Sequence, residues 1–579
     1  MKTATGTGAS GVNSAQLTHP DGRVELTDPS AIAYSGYHNR ELAPTSMAQR
    51  TWNTYHYAAL WIGMAFCIPS YLLASGLIAI GMNWVQAFLT ITIANIVVLA
   101  PMLLNSHAGT KYGIPYPVYA RAYFGIRGAN LAALLRAFIA CGWFGIQTWI
   151  GGQATYAIIG SLAGDAWRDT PTLLGQPRTL WLSFLLFWLV QMVIIWRGME
   201  AIKKMEAWAA PLMVVGLLGL LGWVLYEAGG LGPILSQPSE LGWGPDFWKV
   251  FVPSLMGMIA FWATLSLNMP DFTRFGGSQR KQLVGQVLGL PTSMAFLAIL
   301  SIMITSGTVV IYGEAVWDPV ELTTRFDNPV AVLFGLLIVI LATISTNLAA
   351  NVVSPSYDFS NALPRWISFR TGGLITGVLG IAIMPWELLS DPNIYIFAWL
   401  QFYGGVLASI AGVLVAGYWL IDRTQLHLAD LYHKHSRYWF TGGWNWRAIV
   451  ASVLGAVLAV GGAWSAPGKG PFPDAGLIPE LQPLYDYSWL VGLVSAFLVH
   501  LVLESMVYLG RKLFGGGEAS PAPTSPAPQP SSQSHDQAEA AAVDANQTEP
   551  AADPTGAKRA DPKQDKPAAA TSQEGEPSV

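Results

Sequence analysis

Twelve apolar stretches separated by short polar loops run through most of this chain, and each is about as long as one membrane-spanning helix. The stretches contain almost no Asp, Glu, Lys or Arg, whereas the loops and the two ends of the chain carry most of the charge. The pattern predicts an all-α polytopic membrane protein with twelve transmembrane helices. The predicted spans lie near residues 56–82, 84–106, 131–160, 180–198, 206–227, 249–270, 285–313, 329–353, 371–388, 393–421, 447–466 and 487–509.

In the first and sixth spans, proline interrupts the apolar run near its middle or its end. Pro69 follows Phe66-Cys67-Ile68 in the first span, and the sixth span closes with Pro270. An unwound peptide in lipid leaves backbone N–H and C=O groups unpaired, so it persists only where it lines a cavity or meets a ligand. Paired breaks of this kind are typical of the binding site of a secondary transporter.

Spans 1 to 5 can be laid in order over spans 6 to 10, so that a broken helix begins each half. An odd number of spans reverses the second half in the membrane, which predicts a five-plus-five inverted repeat followed by two extra C-terminal helices. Residues 1–50 form a predicted polar cytoplasmic segment, and residues 51–512 form the transmembrane transporter domain. Residues 513–579 have few large apolar side chains and are predicted to be a disordered cytoplasmic tail.

Composition and charge agree with a membrane location, since 52% of the residues are hydrophobic and only 11% are charged. Lys and Arg are concentrated before the first span and after the even-numbered spans, so the positive-inside rule places both termini in the cytoplasm. We expect the plasma, or inner, membrane as the location and the lipid bilayer as a partner. The net charge of −4 and the lack of a basic stripe exclude nucleic acid as a partner.

The third span carries a polar and aromatic pair that is suited to a flat polar ligand. Trp143 and Gln147 are four residues apart and share one face of a helix. An indole stacks on a planar heterocycle, and a Gln amide matches the C=O and N–H groups of a ring amide. The alternative is a Trp that packs between helices and a Gln that bonds a neighbouring helix.

The eighth span is unusually rich in side-chain oxygen. Asn347 and Asn351 share a helix face, and Ala342, Ser345 and Thr346 follow an i, i+3, i+4 pattern. Two hydroxyls combined with free carbonyls of a neighbouring broken helix would form an all-oxygen site for a small hard cation. The alternative is that the hydroxyls bond the carbonyl one turn earlier in their own helix.

Charged groups within the predicted spans are few, and this favours Na⁺ over H⁺ as the coupling ion. Proton relays usually employ intramembrane Asp, Glu or His. Apart from acids at the ends of predicted spans, the only carboxylate within a span is Glu504 in the last one, and spans 1, 3, 6 and 8 hold none. Asp271 after the sixth span is a possible protonation site, although a solvated acid at a helix end is the expected state. Arg136 is expected to reach cytoplasmic water by snorkelling. No cofactor is expected besides the coupling ion.

Catalytic and nucleotide-binding motifs are missing from the sequence. It contains no P-loop, no Gly-x-Ser-x-Gly elbow and no His-Glu-x-x-His, so we expect a protein that is not an enzyme and not driven by ATP. A membrane-embedded enzyme and a channel remain as remote alternatives. An enzyme would need acids, His or a nucleophile gathered at one face of the bilayer.

Several motifs in order resemble the nucleobase:cation symporter family, which includes hydantoin, allantoin, uracil and cytosine permeases. The resemblance covers roughly residues 45–510. The matching runs are WIGMAFCIPSYLLASG from Trp61, YGIPYPVYARAYFGIRG from Tyr112, GWFGIQTWIGG from Gly142, MPDFTRF from Met269 and STNLAANVVSPSYDFSNALP from Ser345.

The resemblance implies a twelve-helix symporter with ten helices in the inverted fold shared with amino-acid/sodium symporters. It implies that Trp143 and Trp262 sandwich the substrate ring, while Gln147 and Asn351 bond its amide edges. It also implies a sodium site made of backbone carbonyls and hydroxyls. That site would be formed by Gly63, Phe66, Ala342, Ser345 and Thr346.

Two departures from a hydantoin-transporting member bear on the substrate. That relative has Gln where this chain has Cys67 and Gly where this chain has Phe261, so the pocket here loses an amide and is narrowed by a ring. These departures leave the exact solute open, and we expect a symporter that imports a small planar nucleobase or ureide such as uracil or allantoin. A hydantoin or cytosine/purine permease with proton coupling remains the alternative, and the oligomeric state is open.

Overall fold

The computed structural model describes residues 16–197 and 199–514, without the side chains of residues 199–210, 349, 511 and 514. Most of the predicted tail at 513–579, and the first residues of the predicted N-terminal segment, therefore lie outside the described residues. The described part is almost wholly helical. Its only strands form two short antiparallel pairs, Gln16–Thr18 with Val24–Leu26 and Thr172–Leu173 with Gln176–Pro177.

The helices follow the predicted spans in order. The longer helices are Trp84–Tyr112, Ala129–Ala163, Arg178–Arg197, Met199–Glu227, Gln279–Tyr312, Pro329–Asn351 and Ser488–Phe514. Those of intermediate length are Thr54–Ala65, Ile68–Ala79, Tyr116–Phe124, Pro245–Phe261, Ala263–Asn268, Val353–Ala362, Phe369–Ala382, Gln401–Val415 and Trp446–Val460, with π-helical turns at Ile394–Leu400 and Ala416–Ile421. Short helical turns connect them at Ser30–Ala33, Met47–Gln49, Asp165–Arg168, Leu231–Leu235, Pro270–Thr273, Pro319–Thr324, Pro385–Leu388, Ala429–Tyr432, Pro479–Leu481 and Gln482–Tyr485.

Among the described residues, seven helices are long and apolar enough to cross a membrane, and a bent pair of helices would make an eighth span. Three shorter apolar helices accompany them, Pro211–Glu227, Phe369–Ala382 and Trp446–Val460. The polytopic helical class is confirmed. The count of twelve stays a prediction, since several predicted spans are shorter than a full membrane crossing.

The last helix shows how the bundle meets its surroundings. Leu490, Val494, Leu498 and Val502 recur every four residues along Ser488–Phe514, and each side chain is exposed. In water such an apolar stripe would favour aggregation, whereas the acyl chains of a bilayer match it. The exposed face of this helix is therefore a lipid-facing surface.

The first span is broken as predicted. Thr54–Ala65 and Ile68–Ala79 meet at an angle of 59°, and Phe66 and Cys67 between them are not helical. Pro69 lies in the first turn of the second half, where its missing N–H is not needed by the helix. Proline therefore starts the second half of this span.

The sixth span is also broken, but the predicted position of the break is wrong. Pro245–Phe261 ends before Trp262, and Ala263–Asn268 begins a new helix seven residues ahead of Pro270. The N–H of Trp262 bonds the carbonyl of Ile259, which is a tightened turn and not the effect of a proline. Pro270 instead begins the short helix that follows.

The eighth span continues past its predicted end, because Val353–Ala362 extends Pro329–Asn351 through a polar sequence packed inside the protein. This extension brings Asp358 into the bundle, where its Oδ2 lies 2.9 Å from Nη1 of Arg136. Both side chains are fully buried. The predictions that Arg136 snorkels to water and that the eighth span holds no carboxylate are therefore wrong.

Asp271 is likewise not the solvated acid expected at a helix end. Its side chain is buried, and its Oδ1 accepts a hydrogen bond of 2.8 Å from the backbone N–H of Tyr116. The amide of Asn268 contacts the hydroxyl of Ser354 next to it. The sequence pattern could not show this enclosure, because it arises from the helix Tyr116–Phe124 folding back under the sixth span.

Small residues allow the third span to approach its neighbours closely. A Cβ at Gly145 would overlap the backbone carbonyl of Gly380, and a Cβ at Gly151 would overlap the ring of Phe187. Such contacts between backbones are the usual way in which helices associate in a membrane, where the hydrophobic effect does not hold them together. The third span therefore packs closely against the helices that carry Gly380 and Phe187, and this packing fixes the side chains that it presents to the interior.

The described part of the N-terminal segment packs against the end of the bundle where the basic loops lie. The Arg50 guanidinium donates to the carbonyls of Thr45 and Val24, each at 2.9 Å. The hydroxyl of Thr45 donates at 2.6 Å to the carbonyl of Arg274, which follows the sixth span. These bonds attach the segment to the transporter core.

Candidate substrate and cation site

Two buried indoles lie near the break in the sixth span, and each is held by a hydrogen bond to another helix. The Nε1–H of Trp143 donates at 3.2 Å to the hydroxyl of Tyr403. The Nε1–H of Trp262 donates at 2.8 Å to Oδ1 of Asn95. Because a buried indole N–H needs an acceptor, these partners fix the orientation of both rings.

Phe261 contacts both indoles. Its ring centroid lies 5.1 Å from that of Trp143 and 4.8 Å from that of Trp262, with near-perpendicular planes in each case. Trp61 of the first span packs edge-on against Trp262 at 5.2 Å. Phe261, which the sequence predicts to narrow the pocket, is therefore in direct contact with both indoles that are predicted to stack on the substrate. Edge-to-face contacts stabilise this cluster of rings.

Gln147 lies one helical turn after Trp143, with only 3% of its surface exposed. Its Oε1 has no hydrogen-bond partner among the described residues. A buried acceptor that stays unpaired costs about 1–3 kcal/mol, and a ligand that donates a hydrogen bond to this oxygen would remove that cost. The alternative prediction, in which this amide bonds a neighbouring helix, does not account for the free oxygen.

Asn351 is held from within its own helix. Its Nδ2 donates at 2.9 Å to Oδ1 of Asn347. Asn347 in turn donates at 2.7 Å to Oε1 of Gln191 and at 3.1 Å to the carbonyl of Phe144. The shared face predicted for the two Asn residues thus joins the eighth span to the third and fourth, and it fixes Asn351 in place.

Cys67 lies at the break of the first span, and its Sγ is 3.2 Å from the hydroxyl of Ser70. The thiol is buried and faces the start of the second half of the span. A thiol is a weak donor and a weak acceptor, so this position offers much less hydrogen bonding than an amide would.

The predicted cation ligands come from helices that pack together. Pro329–Asn351 packs against both halves of the broken first span. The N–H of Cys67 bonds the carbonyl of Ala65, so the carbonyl of Gly63 loses the partner that a regular helix would give it. The carbonyl of Phe66 lies at the break itself. The Ala342 carbonyl lies one turn ahead of the hydroxyl of Thr346.

Ser345 and Thr346 are buried residues, 4% and 5% exposed, and the hydroxyl of neither forms a hydrogen bond to another described residue. In the same bundle Thr148 and Ser356 donate to the carbonyl one turn earlier, at 2.7 Å each. The alternative prediction for Ser345 and Thr346 is therefore not what the structure shows. Within the described residues, no cluster of three or more His, Cys, Asp or Glu could hold a metal.

Sequence reasoning missed the groups that support these side chains. Asn95 and Tyr403 orient the indoles, and Gln191 secures the Asn pair. Each is a polar group in an apolar span, which is a signal that the sequence does contain, but nothing along the chain shows which partner such a group will meet. The pairing depends on helices that are far apart in sequence.

The structure is an apolar helical bundle with two interrupted helices, and its interior holds a free amide oxygen, edge-to-face aromatic rings and unbonded hydroxyls. This is the architecture of a secondary transporter. A family model described as permease for cytosine/purines, uracil, thiamine and allantoin matches residues 44–492. The match covers well over half of the chain, and this protein therefore belongs to that permease family.

Relatives of established name agree with this membership. The chain is 41% identical over 473 residues to an allantoin permease of Bacillus subtilis (strain 168), which covers 80% of this chain and 92% of the relative. It is 40% identical over 427 residues to a purine-uracil permease of Arabidopsis thaliana, which covers 73% of this chain and 71% of the relative. These proteins are permeases, and the predicted resemblance is confirmed.

Solved structures agree on the fold. Mhp1, a nucleobase-cation-symport-1 family transporter, matches in a closed form with bromovinylhydantoin bound, with a TM-score of 0.65, 26% identity and coverage of 83% of this chain and 98% of the other. Its inward-facing form matches with a TM-score of 0.67, 25% identity and coverage of 83% and 95%. A Na⁺-coupled sialic acid symporter shares the fold alone, with a TM-score of 0.55 at 12% identity. The inverted-repeat transporter class predicted from the sequence is confirmed.

Proposed function

We propose that this protein is a cation-coupled symporter that imports a small planar nucleobase or ureide, with allantoin and uracil as the foremost candidates. The observation that carries the proposal is the unpaired Oε1 of Gln147, buried beside the indole of Trp143. A ring N–H of a cyclic amide would satisfy this oxygen while the ring stacks on the indole. Both candidate solutes present such an edge.

Substrate recognition would use both repeats. Gln147 belongs to the third span and Asn351 to the eighth. A bound ring would therefore join two helices that are separated along the chain by about half the length of the transporter domain. Phe261 contacts both indoles, and a flat guest placed between Trp143 and Trp262 requires its ring to move aside. Phe261 and Cys67 would thereby limit the size and polarity of accepted solutes.

The coupling ion would be Na⁺ bound by the carbonyls of Gly63, Phe66 and Ala342 and the hydroxyls of Ser345 and Thr346. The free hydroxyls and the interrupted helix support this set, because hard cations prefer neutral and anionic oxygen ligands. Binding would brace the first span against the eighth before the two repeats rock around the substrate. We place the protein in the plasma, or inner, membrane with both termini cytoplasmic.

The test is uptake by proteoliposomes that contain the full chain. Labelled allantoin, uracil, hydantoin and cytosine are compared with and without a Na⁺ gradient and with a protonophore. We expect saturable accumulation of allantoin or uracil that depends on the Na⁺ gradient and survives the protonophore. If the protonophore abolishes accumulation and the Na⁺ gradient has no effect, the coupling ion is H⁺ and not Na⁺. If the solute equilibrates across the membrane without accumulating, the protein is a channel.

Variants test the substrate ligands. Gln147→Leu removes the free acceptor, and we expect KM to rise about tenfold or more, as the loss of one buried hydrogen bond predicts. The matched control is Gln153→Leu on the same helix, which should leave KM unchanged. Asn351→Ala should abolish uptake without loss of membrane insertion. Unchanged uptake in Asn351→Ala or an equal KM rise in both Gln variants would refute the assignment.

A second pair of variants tests the cation site. Thr346→Val removes one predicted ligand, and Thr343→Val removes a buried hydroxyl of the same helix that also has no partner among the described residues. We expect the Na⁺ concentration for half-maximal uptake to rise in Thr346→Val alone. Equal Na⁺ dependence in the two variants would contradict the cation site while leaving the substrate site untouched.

A further inference from the structure

A groove of about 580 Å³ opens at the end of the bundle where the basic loops lie, away from the substrate site. Three segments of the chain form its walls, residues 34–37, 361–366 and 432–434, and Asn130 completes it. We call it the basic groove. The segments come from the N-terminal region, the end of the eighth span and the loop after the tenth predicted span, so the groove exists only in the folded bundle.

The charge of the basic groove has one sign. Arg365, His433 and Lys434 line it, and none of its lining residues is an acid. Arg365 and Lys434 are exposed and form no ion pair with any described residue. The guanidinium of Arg365 lies over Gly36, with Nη2 3.3 Å from the position that a Cβ would take there. Two cations therefore face the same space without counter-ions.

A further cation lies directly behind the groove wall. Arg121 is completely buried, and its guanidinium donates to Oδ1 of Asn361 at 2.7 Å, to the carbonyl of Tyr37 at 2.9 Å and to that of Leu431 at 3.1 Å. It also lies over the ring of Tyr432, 5.2 Å from the centroid. All of these partners are neutral. They satisfy the hydrogen bonds of Arg121 but leave its charge uncompensated, which is costly in a protein interior.

Arg121 also explains why the groove keeps its shape. Tyr37, Asn361 and Leu431 belong to, or adjoin, the three segments that form the walls, and one guanidinium joins them all. Asn361 is fixed further by its Nδ2, which donates to Oδ1 of Asn130 at 2.6 Å. The groove is therefore a built cavity whose walls converge on a buried positive charge.

The rim of the groove carries exposed aromatic rings. Tyr34 and Trp366 are 95% and 83% exposed. Trp and Tyr are the side chains that prefer the boundary between lipid headgroups and water. Basic pockets at this boundary attract anionic headgroups of the cytoplasmic leaflet. The positive-inside distribution of the loops assigns the groove to that side.

We propose that the basic groove is a binding site for a phosphate oxyanion, and that the phosphodiester of an anionic phospholipid headgroup occupies it. Arg365 and Lys434 contact the anion from the exposed side, while Arg121 contributes its field from behind and holds the walls together. The ligand then joins the N-terminal segment to the end of the eighth span and thus stabilises the bundle from one face. This site is independent of the proposed transport substrate.

The experiment uses the purified full chain in nanodiscs of phosphatidylcholine, with and without phosphatidylglycerol, and measures Tm. A double variant, Arg365→Gln with Lys434→Gln, is compared with a control double variant, Arg280→Gln with Lys281→Gln. The control pair is also exposed and follows the sixth span at the basic end. All four positions lie on the surface, so both double variants should fold like the parent.

We expect phosphatidylglycerol to raise the Tm of the parent and of the control double variant by about 2 °C or more. In the groove double variant, most of this rise in Tm should be lost. A parallel series in phosphatidylcholine with 10-fold steps of inorganic phosphate identifies the source. Protection by inorganic phosphate that the groove variant alone loses would assign the site to a soluble phosphate. An equal response of both double variants, or no response of the parent to either anion, would overturn the proposal.

Discussion

Replacing Asp358 by Leu removes the carboxylate that pairs with the guanidinium of Arg136 inside the bundle. The two groups lie 2.9 Å apart, and their side chains are 0% and 1% exposed. Removing one partner of such a pair costs about 3–5 kcal/mol, because the remaining charge stays buried without compensation. We therefore expect Asp358→Leu and Arg136→Met each to destabilise the protein by about this amount.

The double variant separates the value of the pair from the cost of an orphaned charge. Arg136→Met with Asp358→Leu removes both charges and fills much of the same volume. Replacement of a buried pair by apolar side chains is often neutral, so we expect the double variant to be more stable than either single variant. The predicted coupling, relative to the sum of the single effects, is at least about 3 kcal/mol.

Thermal unfolding of the detergent-solubilised chain, followed by the retained monodisperse fraction after heating, gives the four stabilities of this cycle. The control is the pair formed by Lys249 and Asp246, which are 74% and 73% exposed with Nζ and Oδ1 2.8 Å apart. An exposed pair contributes about 0–1 kcal/mol, so its cycle should show little coupling. A double variant as unstable as the sum of the two single variants would refute the reasoning, since additive effects would mean that the two charges do not interact in the fold.

Three further perturbations have sharp outcomes. Gly145→Ala places a methyl group against the backbone of a neighbouring helix and should lower stability by about 1–3 kcal/mol in the same thermal assay, whereas Gly219→Ala, which has open space, should not. Asn95→Leu removes the acceptor that orients the indole of Trp262, so uptake kinetics should show a KM about tenfold higher with the protein yield unchanged, and an unchanged KM would contradict the positioning role. Burial raises the pKa of Asp318 to about 6, so the folded protein favours the neutral form of this side chain. The parent should therefore lose stability relative to Asp318→Asn as the pH rises from about 4 to 6. Parallel curves of Tm against pH for the two proteins over that window would contradict the raised pKa.

Much of the fold was predictable because the apolar runs are long and lie between polar loops. The break in the first span was predictable as well, since Pro69 has no backbone N–H and fits the first turn of a new helix, which is where the structure has it. The break in the sixth span was placed at Pro270, whereas it lies at Trp262. No local signal marks that position, because the turn there follows from packing around Phe261 and Tyr403 and not from a residue that breaks helices.

The candidate site also has features that the sequence predicted and features that only the fold revealed. The spacing of Trp143 and Gln147 places them on one face of a helix from sequence alone. The free oxygen of Gln147 became visible only in the fold, because whether an amide finds a partner depends on the helices that pack around it. Asp358 lies beyond the apolar run of the eighth span, so hydropathy ended that span too early and missed the ion pair with Arg136.

The sequence by itself determined that this chain enters a membrane as a series of helices and which side chains each helix offers. Helical periodicity and hydropathy are local properties, and in a bilayer they constrain the backbone strongly because no water is present to satisfy it. The tertiary structure decided which polar groups meet, which remain free and which charges are enclosed. Those outcomes depend on contacts between residues hundreds of positions apart, such as Arg136 with Asp358, and no local pattern contains them.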